Sequence, residues 1–415
     1  MLGGELYESG AAETEAVEWF YTTAFAVCWI LTLAIITTFD AIVAGIGSMG
    51  SATAYHLAAR GYKVLGLEQF NIGHDLGSAS GVNRIIRLAY AEHPAYVPLL
   101  RRAYKLWRRL EKISKEQLLF ITGGIDAGPA DGAIVQCSLR SCREHRLAHE
   151  ELTPRELRKR FPGFHLPKDF AAIYQPDGGF VLSERAIIAY VNAALAAGAE
   201  IHGREAIRHW EVSRNRIVVR TDLGCYAAGK LVITAGAWSE RLVRELRRCR
   251  LAVPERQVMI WMQPKRPELF AVGAFPIFNM EDGVNRYYGF PIYGMPGFKL
   301  GKYHHRYENV DPDTMDRECH PQDEKVLRDA VRRYFPDADG PTLAMKTCLF
   351  TNSPDEHFVL DVHPEFPQVS IAAGFSGHGF KFASVVGEIM ADLATSGESA
   401  LLEDIDLFPI TRGRR

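Results

Sequence analysis

The sequence lacks an excess of charge of either sign. Its 48 lysine and arginine residues nearly balance 50 aspartate and glutamate residues, which gives a net charge of −2. A nucleic-acid-binding surface needs clustered basic residues, and the one dense basic run, residues 244–250, is explained by a solvated helix face. We therefore predict no nucleic-acid partner.

The sequence also lacks the cysteine and histidine spacings of disulfide and metal proteins. The seven cysteines are odd in number and form no CxxC pair, which argues against a disulfide framework and favours a reducing, cytoplasmic compartment. The fourteen histidines are scattered, without metal-ligand spacing. We predict no metal site.

The amino-terminal residues 1–38 lack lysine and arginine and contain most of the uncharged stretch 19–39. About 20 apolar residues can span a bilayer, but a secretory signal would need a basic region and a small-residue cleavage site. Threonines and β-branched residues weaken the membrane interpretation. A membrane anchor, a soluble appendage and an artefact of the gene model all stay open.

A dinucleotide motif follows this stretch. An apolar strand beginning at Phe39 runs into a glycine-rich turn, and a helix and a second strand ending in Glu68 follow. Such glycines allow a tight turn with close backbone approach, and the acid, 18 residues past Gly50 (68 − 50 = 18), suits a ribose 2′-hydroxyl rather than a 2′-phosphate. The predicted site comprises Gly45, Gly47, Ser48, Met49, Gly50 and Glu68. The motif does not distinguish FAD from NAD.

A second glycine motif lies near the carboxyl end, between a strand pattern and a helix pattern. There Gly377 and Gly379 bracket His378, and Lys381 follows three residues after the histidine. Backbone amides at such a turn can face an anion, and side chains three apart can serve one pocket. Upstream, residues 348–357 (CLFTNSPDEH) combine a thiol with an acid-rich loop.

These two segments resemble the monomeric sarcosine oxidase and N-methyltryptophan oxidase family of flavoenzymes. In that family a Cys-x-[Tyr/Phe]-[Thr/Asp]-Asn-[Ser/Thr]-Pro-Asp-Glu run carries FAD covalently, so the resemblance implies a flavin thioether at Cys348. Forming it requires a partly accessible sulfur near cationic groups. Outside this motif, a lone cysteine would be interpreted as a small buried hydrophobe.

The resemblance extends from residue 39 to about residue 410 and implies an α/β fold, α+β overall. It predicts a Rossmann-like FAD-binding domain and a substrate domain with a mixed or antiparallel sheet, both discontinuous. The FAD-binding domain comprises residues 39–116, 183–246 and 350–415, the substrate domain residues 117–182 and 247–349, and residues 1–38 form an appendage.

The resemblance also assigns substrate-binding roles. Arg84 and Arg87 are three apart among apolar neighbours, and each should meet an anion because unpaired buried arginine is costly. Arg84 matches the arginine beside the flavin, Arg87 and Lys381 match the ligands of the substrate carboxylate, and we place His378 with them. The alternative for Arg87 is an internal ion pair with a helix-borne glutamate.

Further residues resemble catalytic groups of the family. Lys299 resembles the lysine that contacts the flavin through water and activates oxygen, with Lys302 as the alternative. His304 resembles the histidine that shapes the amine site, but one additional residue after the lysine makes His305 an alternative. Tyr288, eleven residues before the lysine (299 − 288 = 11), matches an active-site tyrosine and could instead simply pack in a sheet.

The implied function is an FAD-dependent oxidase of secondary, N-methyl or cyclic, amino acids that yields an imine, then aldehyde plus amine, and H2O2. The predicted partners are a small-molecule amino acid and O2, the predicted state is a monomer, and membrane contact is possible only through residues 19–39. A fructosyl-amino acid oxidase and a membrane-linked FAD amine dehydrogenase are alternatives. A silent flavoprotein is disfavoured because Arg87, Lys299 and Lys381 are all present.

Overall fold

The structure is a computed structural model that describes residues 37–403 and 405–411. The first strands are β1 (Thr37–Ala44), β2 (Val64–Leu67), β3 (Asn83–Ile86), β4 (Leu119–Ile121), β5 (Gly124–Pro129), β6 (Glu150–Leu152), β7 (Phe170–Gln175), β8 (Gly179–Leu182) and β9 (Glu200–His202). The later strands are β10 (Ile207–Ser213), β11 (Arg216–Thr221), β12 (Cys225–Ile233), β13 (Val253–Met262), β14 (Ile277–Glu281), β15 (Arg286–Phe290), β16 (Phe298–Lys302), β17 (Thr342–Asn352), β18 (Val359–Val362) and β19 (Val369–Ala373).

The helices connect these strands. The α-helices are α1 (Ser48–Ala58), α2 (Tyr96–Ser114), α3 (Ala133–His145), α4 (Pro154–Arg160), α5 (Ser183–Ala196), α6 (Ser239–Leu242), α7 (Arg244–Cys249), α8 (Pro321–Tyr334) and α9 (Ala383–Ser396). Short 3-10 turns lie at Gly236–Trp238, Pro267–Phe270, Pro336–Ala338 and Phe380–Phe382. Along the parts of the chain described, no helix is both long and apolar enough to cross a membrane.

The first sheet carries the glycine motif. Its strand order is β10-β11-β12-β1-β2-β9, and β19, itself paired with β18, adds to it through β12. Strand β1 pairs in parallel with both β12 and β2, and parallel sheets of this kind are covered on both faces. Helices α1, α5 and α9 carry much of the core on one face, with apolar residues such as Ala52, Val191 and Val386.

The second sheet has the order β17-β13-β16-β15-β14-β5-β7-β6 and is antiparallel except for the β14–β5 pair. Side chains alternate between the faces of a strand. One set, which includes Val258, Ile260, Phe298 and Leu300, packs in a core with Leu327 of α8. The opposite set carries polar groups, and the third sheet, β3-β8-β4, carries Arg84.

The sheets interleave along the chain, as the two strand groups of the second sheet, residues 124–175 and 253–352, are separated by strands of the first. Strand β17 spans the predicted boundary at residues 349 and 350, and β1 begins at Thr37 rather than Phe39. The domain boundaries stay a prediction. Residues 1–36 of the predicted appendage, with the apolar segment up to residue 36, lie outside the described residues, whereas residues 37 and 38 belong to β1.

Candidate active site

A cavity of about 250 Å³ opens at the carboxyl ends of β1 and β2. Half of the sequence-predicted site residues line it: Gly45, Gly47, Ser48, Met49, Glu68, Arg84, Gly377 and Gly379. In a parallel sheet, ligands bind beyond the carboxyl ends of the strands. The folded chain thus brings both glycine motifs, which are more than 300 residues apart in the sequence (377 − 47 = 330), to one cavity.

The three glycines of the first motif have different surroundings. Gly45 has a φ of +92°, and a Cβ there would lie 2.8 Å from the Thr234 carbonyl oxygen. A Cβ on Gly50 would lie 1.8 Å from the carbonyl oxygen of Gly45. At Gly47, by contrast, a Cβ would meet no atom of the described residues within 4 Å. Gly47 therefore leaves space where a dinucleotide can approach the backbone, so the site fits FAD.

Glu68 is fixed at the edge of this cavity. One carboxylate oxygen accepts a hydrogen bond from the Ile46 amide at 2.9 Å, and the other accepts from the Phe70 amide at 3.1 Å. The imidazole of His74 lies 3.5 Å from the second oxygen. The residue is 4% exposed, and the backbone bonds hold its carboxylate at the position predicted for a ribose contact.

Tyr288, Lys299 and Cys348 lie on one face of the second sheet, opposite the face that carries Phe298 and Leu300. Directly opposed residues on neighbouring strands share a face. Tyr288 is opposite Gly301, two residues beyond Lys299 on β16, and Lys299 is opposite Trp261 on β13. Cys348 on β17 is opposite Gln257 of β13. Gln257 is four residues before Trp261, an even number, so Cys348 lies on the same face. A Cβ on Gly301 would lie 2.4 Å from the Tyr288 hydroxyl, so this glycine makes room for the tyrosine ring.

Cys348 is 2% exposed and packs with Met259, Trp261 and Tyr288. Burial raises the pKa of its thiol, while Arg84 and Lys299 oppose that shift. The expectation of cationic neighbours therefore holds, whereas the expectation of a partly accessible sulfur is wrong. The motif places the cysteine in a strand, but it does not reveal that apolar side chains cover that part of the face.

Lys299 is held by a turn at residues 81–83. Its ammonium donates hydrogen bonds to the carbonyl oxygens of Gly81 at 2.6 Å and Asn83 at 2.9 Å, and to the Asn83 side-chain oxygen at 2.9 Å. Burial and the neighbouring Arg84 hold the pKa of Lys299 well below its ordinary value. Arg84 itself donates to the carbonyl oxygen of Ser78 at 2.8 Å.

Arg87 belongs to a buried ion-pair network. Its Nε lies 3.1 Å from Asp126 and its Nη2 lies 3.1 Å from Glu92. The other oxygen of Glu92 accepts from Arg286 at 2.6 Å, and these two arginines hold the pKa of Glu92 well below its ordinary value against the effect of burial. The structure thus contains the internal ion pairs of the alternative, including one with a glutamate, but the partners are not helix-borne, because Asp126 lies on β5 and Glu92 precedes α2.

Lys381 and His378 lie beside this network. The Lys381 ammonium donates to the His378 carbonyl oxygen at 2.8 Å, and burial and Arg87 lower its pKa to about 7. Both ring nitrogens of His378 are engaged, with the Tyr90 hydroxyl at 2.6 Å and the Glu356 carbonyl oxygen at 2.8 Å. Burial lowers the pKa of His378 to about 4, so its ring is neutral at physiological pH.

The two adjacent histidines have different surroundings. The ring nitrogens of His304 lie 2.8 Å from Glu255 and 3.0 Å from Glu356, and these hydrogen bonds raise its pKa to about 9. Its ring centroid is 6.4 Å from that of Phe350, which lines the cavity. His305 instead pairs with Asp323 of α8 at 3.0 Å. His304 is thus the histidine that approaches the cavity.

Comparison with known proteins decides the family. A monomeric sarcosine oxidase of Streptomyces avermitilis is 42% identical to this chain over 375 residues, which cover 88% of the chain and 95% of that enzyme. The chain belongs to the monomeric sarcosine oxidase and N-methyltryptophan oxidase family. The N-methyl-L-tryptophan oxidase of Yersinia pestis is 34% identical over 379 residues, which cover 91% of the chain and all of that enzyme.

Broader matches agree with this sarcosine oxidase family. The family model for FAD-dependent oxidoreductases (DAO) matches residues 40–393. The solved open form of NikD, an unusual amino acid oxidase, superposes with a TM-score of 0.75 at 25% identity and covers 88% of this chain and 95% of its own. The predicted family, the α/β fold class and the FAD-dependent oxidase class are confirmed.

For this member of the sarcosine oxidase family, the sequence alone missed four charged groups of the site. Glu92, Asp126 and Arg286 form the network around Arg87, and Glu184 binds the turn that holds Lys299. Arg286 had a usable signal, since it is two residues before Tyr288 in an alternating strand and so shares its face. Asp126 and Glu184 had none, because tertiary packing alone brings them to the site, whereas Glu92 follows Arg87 by five residues.

Proposed function

We propose that the protein oxidises secondary amino acids, N-methyl or cyclic, with O2 as the electron acceptor. When bound, FAD supplies the redox chemistry by taking two electrons and passing them to the acceptor. The substrate loses two electrons and two protons from its C–N unit and becomes an imine. O2 gains the two electrons and two protons and becomes H2O2, and water hydrolyses the imine to aldehyde and amine. The protein's own groups bind and orient the substrate.

The observation that carries this proposal is an unbalanced charge in a buried network. Arg87 and Arg286 balance Glu92 and Asp126, and Lys381 adds one positive charge when it is protonated, which its pKa of about 7 allows at neutral and lower pH. Burying an uncompensated charge is costly. One carboxylate of an amino acid would neutralise it, with a planar guanidinium to give direction and an ammonium to give charge.

Aromatic side chains connect this network with the cavity. Arg286 lies 4.2 Å from the ring centroid of Tyr303, which is 5.4 Å from that of Tyr288 and 5.6 Å from that of Phe350. Phe350 lines the cavity. An amino acid with its carboxylate at the network would therefore direct its N-alkyl group along apolar ring surfaces, which suits N-methyl and cyclic amines.

We further propose that Cys348 carries the flavin covalently. The motif at residues 348–357 supports this, as do the cations Arg84 and Lys299, which favour the thiolate against burial. Although the sulfur is buried, the two residues that follow it, Leu349 and Phe350, line the cavity, so the cysteine adjoins the site that fits FAD. Thioether formation replaces the thiol S–H and one C–H of the flavin 8-methyl group by a C–S bond. The two electrons and two protons released pass to O2, the acceptor named above.

Assays with a panel of amines test the function. Sarcosine, N-methyltryptophan, pipecolate and a fructosyl amino acid are each supplied while H2O2 release is followed. We expect release with N-methyl or cyclic amino acids. Release with the fructosyl compound alone would indicate the deglycating alternative, and turnover that requires an added quinone would indicate a dehydrogenase.

The carboxylate site predicts a specific loss of affinity. Lys381→Met should raise the Kd of a carboxylate inhibitor such as methylthioacetate by roughly 10- to 100-fold, because a charge-assisted contact contributes about 1.5–3 kcal/mol. Wild-type affinity should fall as pH rises through about 7, since Lys381 then loses its proton, and this dependence should disappear in the variant. Titrations of the flavin spectrum measure both effects.

An uncharged analogue of similar shape provides the control for this prediction, because it never used the cation. Lys381→Met is a cleaner variant than Arg87→Met, which would leave Asp126 and Glu92 without a buried partner. Equal weakening of both ligands would assign Lys381 a structural role. Unchanged binding of both would place the carboxylate elsewhere.

A further inference from the structure

We propose that Glu184 is a positioning residue for Lys299 and acts through the turn at residues 81–83. The inference rests on the proposed function, in which Lys299 supports the reaction with oxygen. Glu184 lies in the first turn of α5, while Lys299 lies on β16 of the second sheet. The turn lies between them and is bonded to both side chains.

One side of the turn is bonded to Glu184. One carboxylate oxygen of Glu184 accepts from the Gly81 amide at 2.6 Å, and both carboxylate oxygens lie 3.1 Å from the Val82 amide. The Ser183 amide donates to the Val82 carbonyl oxygen at 3.0 Å. The beginning of α5 therefore binds two successive amides and one carbonyl of the turn.

The turn has a backbone conformation that needs such support. Val82 has a φ of +76°, which is a genuine outlier for a β-branched residue. Strained residues of this kind persist only where the surroundings hold them, and they cluster at functional sites. Gly81 has a φ of +107°, and a Cβ there would lie 2.8 Å from Met259. The turn is thus held in a state that its own sequence does not favour.

The other side of the turn is bonded to Lys299. Lysine has three N–H donors, and the described contacts are to two carbonyl oxygens of the turn and to the Asn83 side chain. An anion bound to the amides of the turn and a cation bound to its carbonyls stabilise the same conformation. The geometry therefore couples the carboxylate of Glu184 to the place and charge of the ammonium.

Two charged groups and one sulfur face Lys299. Arg84 of β3 lowers its pKa and Glu184 of α5 raises it, whereas Cys348 of β17 would raise it only as a thiolate and not as the proposed thioether. Hydrogen bonds from Ser183 and Val82, together with the charge of Arg84, lower the pKa of Glu184 although burial opposes this shift. Glu184 is therefore an anion that favours the protonated state of Lys299.

Gln175 shows that holding a turn does not require a charge. Its neutral side-chain oxygen accepts from the successive amides of Leu88 and Ala89, both at 2.9 Å. A glutamine at position 184 can bind its two amides in the same way, since one oxygen of Glu184 serves both. Glu184→Gln thus keeps the turn and removes the charge, which separates support of the turn from control of Lys299.

The test is a pH titration of the absorption spectrum of the oxidised holoprotein, without substrate. We expect a transition from Lys299 that is absent in Lys299→Met and in the variant that combines Lys299→Met with Glu184→Gln. In Glu184→Gln its midpoint should move to lower pH by on the order of one unit, because the ammonium loses the attraction of a buried carboxylate bound to the same turn. The alkaline decline of the oxygen reaction should shift with it.

Glu111→Gln is the matched control. Glu111 also binds two successive amides with one oxygen, those of Leu118 and Leu119 at 2.9 Å each, but these amides lie outside the turn that holds Lys299. The titration midpoint of Glu111→Gln should equal that of the wild type. The midpoint of Glu184→Asp, which keeps the charge, should remain close to the wild-type value.

Several outcomes would overturn the proposal. An unshifted midpoint in Glu184→Gln, or a transition that survives in Lys299→Met, would contradict it. Failure of both Glu184 variants to fold would make the residue structural. Because the titration consumes neither amine nor oxygen, a failure of the proposed function would be detected separately by the amine panel.

Discussion

Acid-precipitated wild-type protein should stay yellow, and Cys348→Ala should release its flavin completely to the supernatant. A thioether survives unfolding, whereas cofactor held only by the cavity around Gly47 and Glu68 is lost when the fold is lost. The expected difference is all or none. Absorbance of pellet and supernatant, and flavin fluorescence of the denatured band on a gel, measure it.

Cys142→Ala is the matched control for this result. Cys142 is also buried, and desolvation raises the pKa of its thiol to about 12, but it lies on α3 outside the motif. Its variant should keep the flavin in the pellet. A colourless wild-type pellet would remove the covalent link from the proposal while leaving FAD binding intact.

Replacing Lys299 with methionine should slow the reaction with oxygen by about 100-fold or more while leaving reduction by substrate nearly unchanged. Negative charge develops on oxygen in that half-reaction alone, and one well-placed electrostatic group contributes roughly 3 kcal/mol. Stopped-flow measurement of the two half-reactions separates them. The melting temperature should fall as well, because the carbonyl oxygens of Gly81 and Asn83 lose their donor.

Lys302→Met is the control on the same strand. Lys302 also donates to backbone carbonyl oxygens, those of His304 and His305, but it lies on the opposite face of β16 from Lys299. Its variant should lose stability without a selective loss of the oxygen reaction. Comparable losses of both half-reactions in Lys299→Met would indicate a purely structural lysine.

The local parts of the site could be predicted from the sequence. The strand, glycine turn, helix and terminal acid around Gly45 and Glu68 follow one another within a short stretch, and each has its own sequence signal. Period-two alternation likewise predicts which residues of β16 share a face. Such patterns depend on neighbours in the chain, so the sequence contains all the information that they need.

Most of the charge network could not be predicted, because its partners, apart from Glu92 five residues after Arg87, are distant in the sequence. Arg87 and Asp126 are 39 residues apart, Glu92 and Arg286 are 194 apart, and the Val82–Glu184 pair spans 102 residues. Sheet register and loop packing determine which of these residues come into contact. The wrong expectation of an accessible Cys348 has the same origin, since the covering side chains come from other strands.

The two faces of the second sheet also limit how its strands can change in length. Lys299 and Leu300 are adjacent on β16, yet one binds the turn at residues 81–83 and the other fills the core. Inserting a single residue within the strand would exchange their faces and take the ammonium away from the carbonyl oxygens that bind it. The additional residue before His304 is tolerable because β16 ends at Lys302 and the chain turns there. Insertions and deletions that arise during divergence should therefore accumulate beyond the ends of these strands, even where side-chain identity within them drifts.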